Sequence, residues 1–377
     1  MPKISRNDEL ASSRLRAVKW TLLVFIVGVV LGGLFLLRSM RPSALQQPLT
    51  LQELMALTPE QLTTCDIARM NLLCADGLPG AEDLNLATCL QQLDSWAERV
   101  KTETELNFHR FQANPREFES SEPYFRMGML VTILQQDCGV HYNPARIESP
   151  SAPVSSAVFF ADSKDVFLHG LTGRRHMGTC ASMPVLYVAV ARRLGYPVYL
   201  VSAKDHLFVR WESPDGKERL NIEGTNRGIN CFPDAYYKTW PAPISAAEIK
   251  ACRYLQAMTP SETLAAFLSI RGACLQSAGR LPEARQAFAQ AHALVPQSPV
   301  YAQALAFSGS GQSAPVGMMA VSRSRPSRTG IDATFAELAE VQALNRHNRA
   351  MMERNNAQLP SAQNPLNFPT TKILPDK

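Results

Sequence analysis

Residues 178–228 constrain the fold more than any other part of this sequence. Cys180 opens an apolar run that ends at Gly195, which predicts a helix stopped by glycine. His206 then begins one strand pattern and Glu223 ends the next. A helix followed by an antiparallel hairpin is therefore expected. Cysteine, histidine and carboxylate in this order are the groups that a thiol nucleophile, its base and an orienting acid require.

The hairpin predicts how close His206 and Glu223 lie. Residues 213–216 read Ser-Pro-Asp-Gly, a turn sequence, and a four-residue turn would set Glu212 opposite Lys217. His206 would then lie directly opposite Glu223, with Cβ atoms about 4.5–5.5 Å apart. A register shift of one residue would put the two side chains on opposite faces of the sheet.

Cys180 is expected at the first turn of its helix. Unpaired N–H groups and the positive end of the helix dipole favour a thiolate there, and the same N–H groups suit an oxyanion during acyl transfer. His169 and His176 lie in the preceding loop and are candidates for a second oxyanion donor. The favoured interpretation of each, however, is a loop residue that hydrogen-bonds locally.

The stretch resembles the transglutaminase-like branch of the papain-type cysteine enzymes. The matching residues are Gly178-Thr179-Cys180, Leu194-Gly195-Tyr196-Pro197, His206 and Glu223-Gly224-Thr225. The resemblance implies that Cys180 is the nucleophile, His206 the general base and Glu223 the orienting acid. Two residues depart from the usual pattern: the acid is Glu223 where the family usually has Asp, and Ala181 follows the cysteine.

Two functions from different classes follow. The first is a cysteine enzyme acting on an amide bond of a protein or peptide, as a protease, amidase or acyltransferase. The second is an inactive scaffold that binds a protein partner, in which Glu223 would turn away from His206 or Cys180 would be sealed from solvent. Nucleic acid is not an expected partner, because residues 42–377 carry 31 basic and 31 acidic side chains.

Residues 20–37 are uncharged and mostly apolar. A bilayer core requires about 17–25 such residues in a helix, more than the core of a signal peptide. No small-x-small cleavage site follows, which favours an uncleaved anchor over a removed signal peptide. Five basic residues precede this segment and two follow it, so the N-terminus is expected in the cytoplasm and the body outside it.

The eight cysteines show no C-x-x-C pair and no zinc-ligand spacing, so neither a metal nor a cofactor is expected. In an exported body some could pair, although most are expected to be buried as small apolar residues.

The remaining sequence predicts mainly helices. Apolar residues spaced three or four apart predict helices at 86–108 and 122–137, while short extended runs are expected at 158–160 and 166–168. Residues 265–298 resemble one tetratricopeptide repeat, a helical hairpin that is a possible protein-binding site.

The predicted fold class is α+β with one transmembrane helix: a helical part, a papain-type core with an antiparallel sheet, and a helical hairpin. The predicted segments are a cytoplasmic N-terminus (1–19), a transmembrane helix (20–37), a helical region (49–150), the transglutaminase-like core (151–257), the tetratricopeptide-like hairpin (258–306), a linker (307–330), a helix (331–356) and a disordered tail (357–377).

Overall fold

The structure, a computed structural model, describes residues 47–146 and 155–308. The predicted transmembrane helix, the linker after residue 308, the helix at 331–356 and the tail all lie outside these ranges. Within them, no helix is long and apolar enough to cross a membrane. The membrane segment therefore stays a prediction.

The N-terminal part is a layer of helices whose starts are capped by polar side chains. At Thr58 a full capping box forms, in which Thr58 and Gln61 satisfy each other's backbone N–H groups. The longest helix buries the apolar stripe that its spacing predicts, including Leu93, Trp96 and Val100. The helices are α1 (Leu51–Met55), α2 (Pro59–Leu62), α3 (Ile67–Ala75), α4 (Leu86–Ala113) and α5 (Glu122–Thr132), which continues as a π-helical turn (Ile133–Asp137).

The connection to the centre contains short elements. Strand β1 (His141–Tyr142) pairs in parallel with β2 (Met177–Gly178). Between them lie helices α6 (Ser156–Phe159), α7 (Ser163–Val166) and α8 (Leu168–Thr172). The prediction of extended runs at 158–160 and 166–168 was wrong, because Ser155 and Asp162 cap helical turns there by accepting backbone N–H groups.

Helix α9 (Met183–Arg193) lies at the centre of the described fold. Its residues 183–191 are all buried, because helices α3, α4, α5 and α8 and two strands of the sheet pack around it. The helix begins at Met183. The sequence had suggested a start at Cys180. Residues 179–182 instead form a turn in which Ser182 and Met183 donate backbone hydrogen bonds to the Thr179 carbonyl.

The sheet consists of three antiparallel strands in the order β3 (Val198–Ala203), β4 (His206–Glu212) and β5 (Arg219–Ile222). The predicted register was wrong by two residues: Glu212 pairs with Arg219, not with Lys217. The loop is wider because Ser213 accepts a hydrogen bond from Gly216 N and donates its own N–H to Glu218 O. A shift of two keeps every side chain on its original face.

The C-terminal part is helical again. It contains α10 (Asp234–Tyr237), α11 (Ala246–Cys252), α12 (Pro260–Ser277), α13 (Leu281–Leu294) and α14 (Pro299–Phe307). Helices α12 and α13 form a hairpin, in which a Cβ added at Gly272 would lie 2.6 Å from the ring of Phe288. Helix α12 also packs on α2, α3 and α6. The assignment of this hairpin as a tetratricopeptide-like repeat stays a prediction.

The prediction of a mixed helix-and-sheet fold with an antiparallel sheet is confirmed. All eight cysteines lie among the described residues, and each is a free thiol. Five of them are buried, as expected for small apolar residues, whereas Cys180, Cys231 and Cys252 are half-buried.

Candidate active site

The site forms where the turn before α9 meets the N-terminal end of β4. Cys180 is half-buried on that turn, whereas His206 and Glu223 are buried, with 3% and 1% of their surface exposed. His206 Nε2 lies 2.8 Å from Glu223 Oε2. The Cys180 thiol hydrogen-bonds to the same imidazole. Since Glu223 occupies Nε2, the other ring nitrogen, Nδ1, is the one available to the sulfur.

Glu223 reaches His206 from beyond the end of its strand. The β4–β5 pairing ends with Val209 opposite Ile222, and Glu223 N then donates to Asn230 O at 2.8 Å, which closes a loop. The two residues are thus not directly opposite each other. The length of the glutamate side chain bridges the remaining separation.

The Glu223 carboxylate accepts hydrogen bonds at both oxygens. Oε1 accepts from Thr225 N at 3.0 Å and from Thr225 Oγ1 at 2.6 Å, and Oε2 accepts from Tyr237 Oη at 3.2 Å in addition to facing His206. Burial alone would raise the pKa of Glu223, but the charge of His206 and the hydrogen bonds from His206 and Thr225 lower it. A buried carboxylate with this many donors stays ionised.

His206 is held as an imidazolium. Burial alone would lower the pKa of His206, but the charge of Glu223 and hydrogen bonds with Cys180 and Glu223 raise it to about 10. A cation beside a cysteine sulfur is the partner that a thiolate requires. The backbone N–H of Cys180 donates to no described residue and is therefore available to an oxyanion.

Two aromatic residues at the site were missed by the sequence analysis. Tyr237 lies on the one-turn helix α10, and its ring stacks on Phe208 with centroids 3.8 Å apart. Trp240 lies edge-on to the His206 ring at 4.7 Å and is 37% exposed. Neither has a local sequence signal, because both reach the site only through tertiary packing.

The helix that carries Tyr237 is fixed by a buried arginine. Arg210 is 1% exposed and donates to Asn221, to the Leu255 carbonyl and to Asp234, the first residue of α10. Asn221 also donates to Asp234, at 2.8 Å. Strands β4 and β5 thereby hold α10 at the position from which Tyr237 reaches Glu223.

The two candidate second oxyanion donors have other partners. His169 Nε2 lies 3.2 Å from Ser163 Oγ, and burial lowers the pKa of His169 to about 4. The His176 ring packs edge-on against Trp96. The backbone carbonyl of His176 accepts a hydrogen bond from His141 N. These contacts are those of residues that organise the loop, and nothing in them assigns either ring to an oxyanion.

Part of the chain matches a known protein family. Residues 87–269 match the model of the transglutaminase-like superfamily. This segment is a transglutaminase-like superfamily domain. The domain begins in α4 and ends in α12, so it contains Cys180, His206 and Glu223, and it suggests a papain-like cysteine enzyme fold. Comparisons with curated proteins and with solved structures found no match.

The domain also includes helices that the sequence analysis had put before the core. Helices α4 and α5 pack on α9, and Gln135, in the π-helical turn after α5, contacts the Glu223 loop. Gln135 Nε2 donates to Asn226 O at 2.9 Å, and its Oε1 accepts from Gly228 N at 2.8 Å. Within the described residues, no group of His, Cys, Asp and Glu has the arrangement of a metal site.

Proposed function

We propose that the transglutaminase-like domain is a cysteine enzyme that acts on an amide bond, with Cys180 as nucleophile, His206 as general acid and base, and Glu223 as orienting acid. The observation that carries the proposal is the buried hydrogen bond of 2.8 Å between His206 and Glu223, together with the interaction of the half-buried Cys180 with the same imidazole. The scaffold alternative expects Glu223 turned away or Cys180 sealed, which is the opposite geometry.

The reaction follows acyl-transfer chemistry. The Cys180 thiolate attacks the amide carbon, and the carbonyl electrons move onto oxygen, to which the Cys180 N–H would donate a hydrogen bond. The tetrahedral intermediate collapses as the C–N bond breaks, and His206 gives its proton to the departing amine. A thioester remains. Water or an amine then attacks the thioester while His206 accepts its proton, and the sulfur leaves as a thiolate, which restores the pair of thiolate and imidazolium.

Glu223 holds the His206 ring in one orientation for both proton transfers. It fixes the ring so that one nitrogen faces the sulfur, and its charge stabilises the imidazolium that is present before acylation and forms again during deacylation. The four hydrogen bonds on its carboxylate hold it in place. A Glu in the position where the family usually has Asp fits a strand that ends before it is directly opposite His206.

The enzyme would be attached to a membrane. Residues 20–37 would anchor the chain as a single membrane-spanning helix, with the N-terminus in the cytoplasm and the domain on the other side. The substrate would be a protein or peptide in that compartment. The hairpin of α12 and α13 would offer a binding surface to a protein partner.

The test is covalent labelling of the full-length protein in detergent. Iodoacetamide should alkylate Cys180 at pH 7 faster than any other cysteine, and Cys180→Ala should abolish this labelling by peptide mass spectrometry. Cys252→Ala is the matched control, because Cys252 is also a half-buried free thiol. Cys252 labelling as fast as Cys180 in wild type would contradict the proposal.

Reaction type can be measured on a peptide library. Incubation in H₂¹⁸O with a primary amine separates hydrolysis, which adds ¹⁸O to the product, from acyl transfer, which adds the amine. Both products should disappear in Cys180→Ala and persist in Cys252→Ala. A product that survives Cys180→Ala would come from another group.

A further inference from the structure

A buried carboxylate lies behind the turn that carries Cys180. Asp165, on α7, has no exposed side-chain surface and accepts three side-chain hydrogen bonds. Asn143 Nδ2 donates to Oδ1 at 2.8 Å, Arg175 Nη2 donates to the same oxygen at 2.9 Å, and Arg146 Nε donates to Oδ2 at 2.9 Å. Arg175 also pairs with Asp162 at 2.8 Å.

The main chain of Asp165 holds the cysteine turn directly. Its carbonyl accepts Thr179 Oγ1 and Ser182 Oγ, each at 2.9 Å. These two residues flank Cys180 and Ala181. Ser182 Oγ accepts in turn from Thr179 N at 3.0 Å, and Thr179 Oγ1 accepts from Ala181 N at 3.3 Å. The turn is thus tied at both ends to one carbonyl group.

The carboxylate and the turn are also joined through β1 and β2. Asn143 donates its backbone N–H to Gly178 O at 2.8 Å, next to the turn, while its side chain binds Asp165. A side chain at Gly178 would not fit, because its Cβ would lie 2.4 Å from Ser182 Oγ. Three chain segments therefore meet at Asp165, and each contacts the residues around Cys180.

We propose that Asp165 is a positioning residue that sets the place of the Cys180 sulfur relative to His206. This inference rests on the proposed role of Cys180 as nucleophile. A buried ion cluster adds little stability compared with apolar packing, because desolvation of the charges offsets their attraction. Its directional hydrogen bonds fix geometry instead. A displacement of about 1 Å at a reacting group lowers rates by about 100-fold.

The experiment compares two charge-removing substitutions in the full-length protein. Asp165→Asn removes the charge that the two arginines face, and Asp94→Asn removes an acid that pairs with Arg193 at the surface, where Asp94 is 67% exposed. The rate constant for alkylation of Cys180 by iodoacetamide is measured between about pH 5 and pH 9. Each variant is kept well below its own Tm, so only folded protein is compared.

Asp165→Asn should slow Cys180 labelling by about 10–100-fold and change the shape of its pH profile. Asp94→Asn should keep the wild-type rate and profile. Folded Asp165→Asn that labels at the wild-type rate would overturn the inference, even if its Tm is lower. If wild-type Cys180 does not label selectively, the proposed function fails instead, so the two failures are distinguishable.

Arg175 supplies the test if Asp165→Asn does not fold. Its side chain is 32% exposed and bridges Asp162 and Asp165 from outside. Its loss leaves Asp165 paired with Arg146 and leaves no buried cation without a partner. Arg175→Gln should slow Cys180 labelling, and Arg175→Lys, which keeps the charge without the bridging geometry, should recover part of the rate. A wild-type labelling rate in folded Arg175→Gln would overturn the inference.

Discussion

Replacement of Glu223 by glutamine tests the centre of the site. The carboxylate accepts from Thr225 at one oxygen, and from Tyr237 and His206 at the other. Glutamine has nearly the same shape but carries no charge, and one of its ends becomes a donor that would face donors. Burial, which alone lowers the pKa of His206, would then dominate, and His206 would become neutral near pH 7.

The size of the effect follows from the burial of the pair. Removal of one partner from a buried, hydrogen-bonded ion pair costs about 3–5 kcal/mol. Because His206 can lose its proton and Gln keeps one acceptor, we expect the lower end, about 3 kcal/mol, which lowers Tm by roughly 6–12 °C in a domain of this size. Loss of the orienting charge should lower the activity by roughly 10²–10⁴-fold.

The assay measures urea unfolding and Cys180 alkylation on the same preparations. Glu218→Gln is the matched control, because Glu218 is exposed in the loop of the same hairpin. It should change the free energy of unfolding by less than about 0.5 kcal/mol and leave labelling unchanged. If Glu223→Gln labels Cys180 at the wild-type rate between pH 6 and pH 8, the argument that Glu223 charges His206 is refuted.

The remaining predictions concern Tyr237, pH and the hairpin. Tyr237→Phe should keep the stacking on Phe208 but remove one donor from Glu223, which should destabilise the protein by about 1–3 kcal/mol in urea unfolding; an equal loss in Tyr199→Phe, the control on β3, would contradict this. The stability that the His206–Glu223 pair contributes should be greatest between the ordinary pKa values, 4.5 for Glu and 6.5 for His. Because the pKa of His206 is raised, the stability that His206 contributes should decline as pH rises and vanish above about 10. Because the pKa of Glu223 is lowered, the stability that Glu223 contributes should be lost as pH falls below 4.5. A stability difference between wild type and Glu223→Gln that stays constant over this range would disprove it. Gly272→Ala should cost about 1–3 kcal/mol, because its Cβ would lie 2.6 Å from the Phe288 ring, whereas Gln286→Ala on the exposed face of α13 should cost almost nothing in the same unfolding assay.

The sequence predicted which residues form the candidate site, but not the geometry of that site. The prediction that His206 and Glu223 share one face survives the wrong register because the shift is two residues, and side chains alternate with a period of two. The wider loop depends on Ser213 hydrogen bonds that the turn residues do not reveal. The catalytic roles of Cys180, His206 and Glu223 stay predictions.

The helices were predictable where their own residues decide them. The apolar spacing in α4 and α5 identified stripes that are buried in the structure, such as Leu93, Trp96 and Val100, because a 3.6-residue period reports the buried face of a helix. The short runs around residues 158 and 166 were misjudged, because two or three apolar residues have no period and the polar caps before them decide the conformation.

The sequence by itself determined the long helices α4 and α5, the mixed helix-and-sheet class and the three chemical groups of the candidate site. Those properties depend on local periodicity, capping residues and residue type. Only the tertiary structure decided that Tyr237 hydrogen-bonds to Glu223 and that Asp165 accepts hydrogen bonds from two arginines behind the Cys180 turn. These contacts join residues from separate segments through packing, and no spacing along the chain encodes which buried side chains will meet.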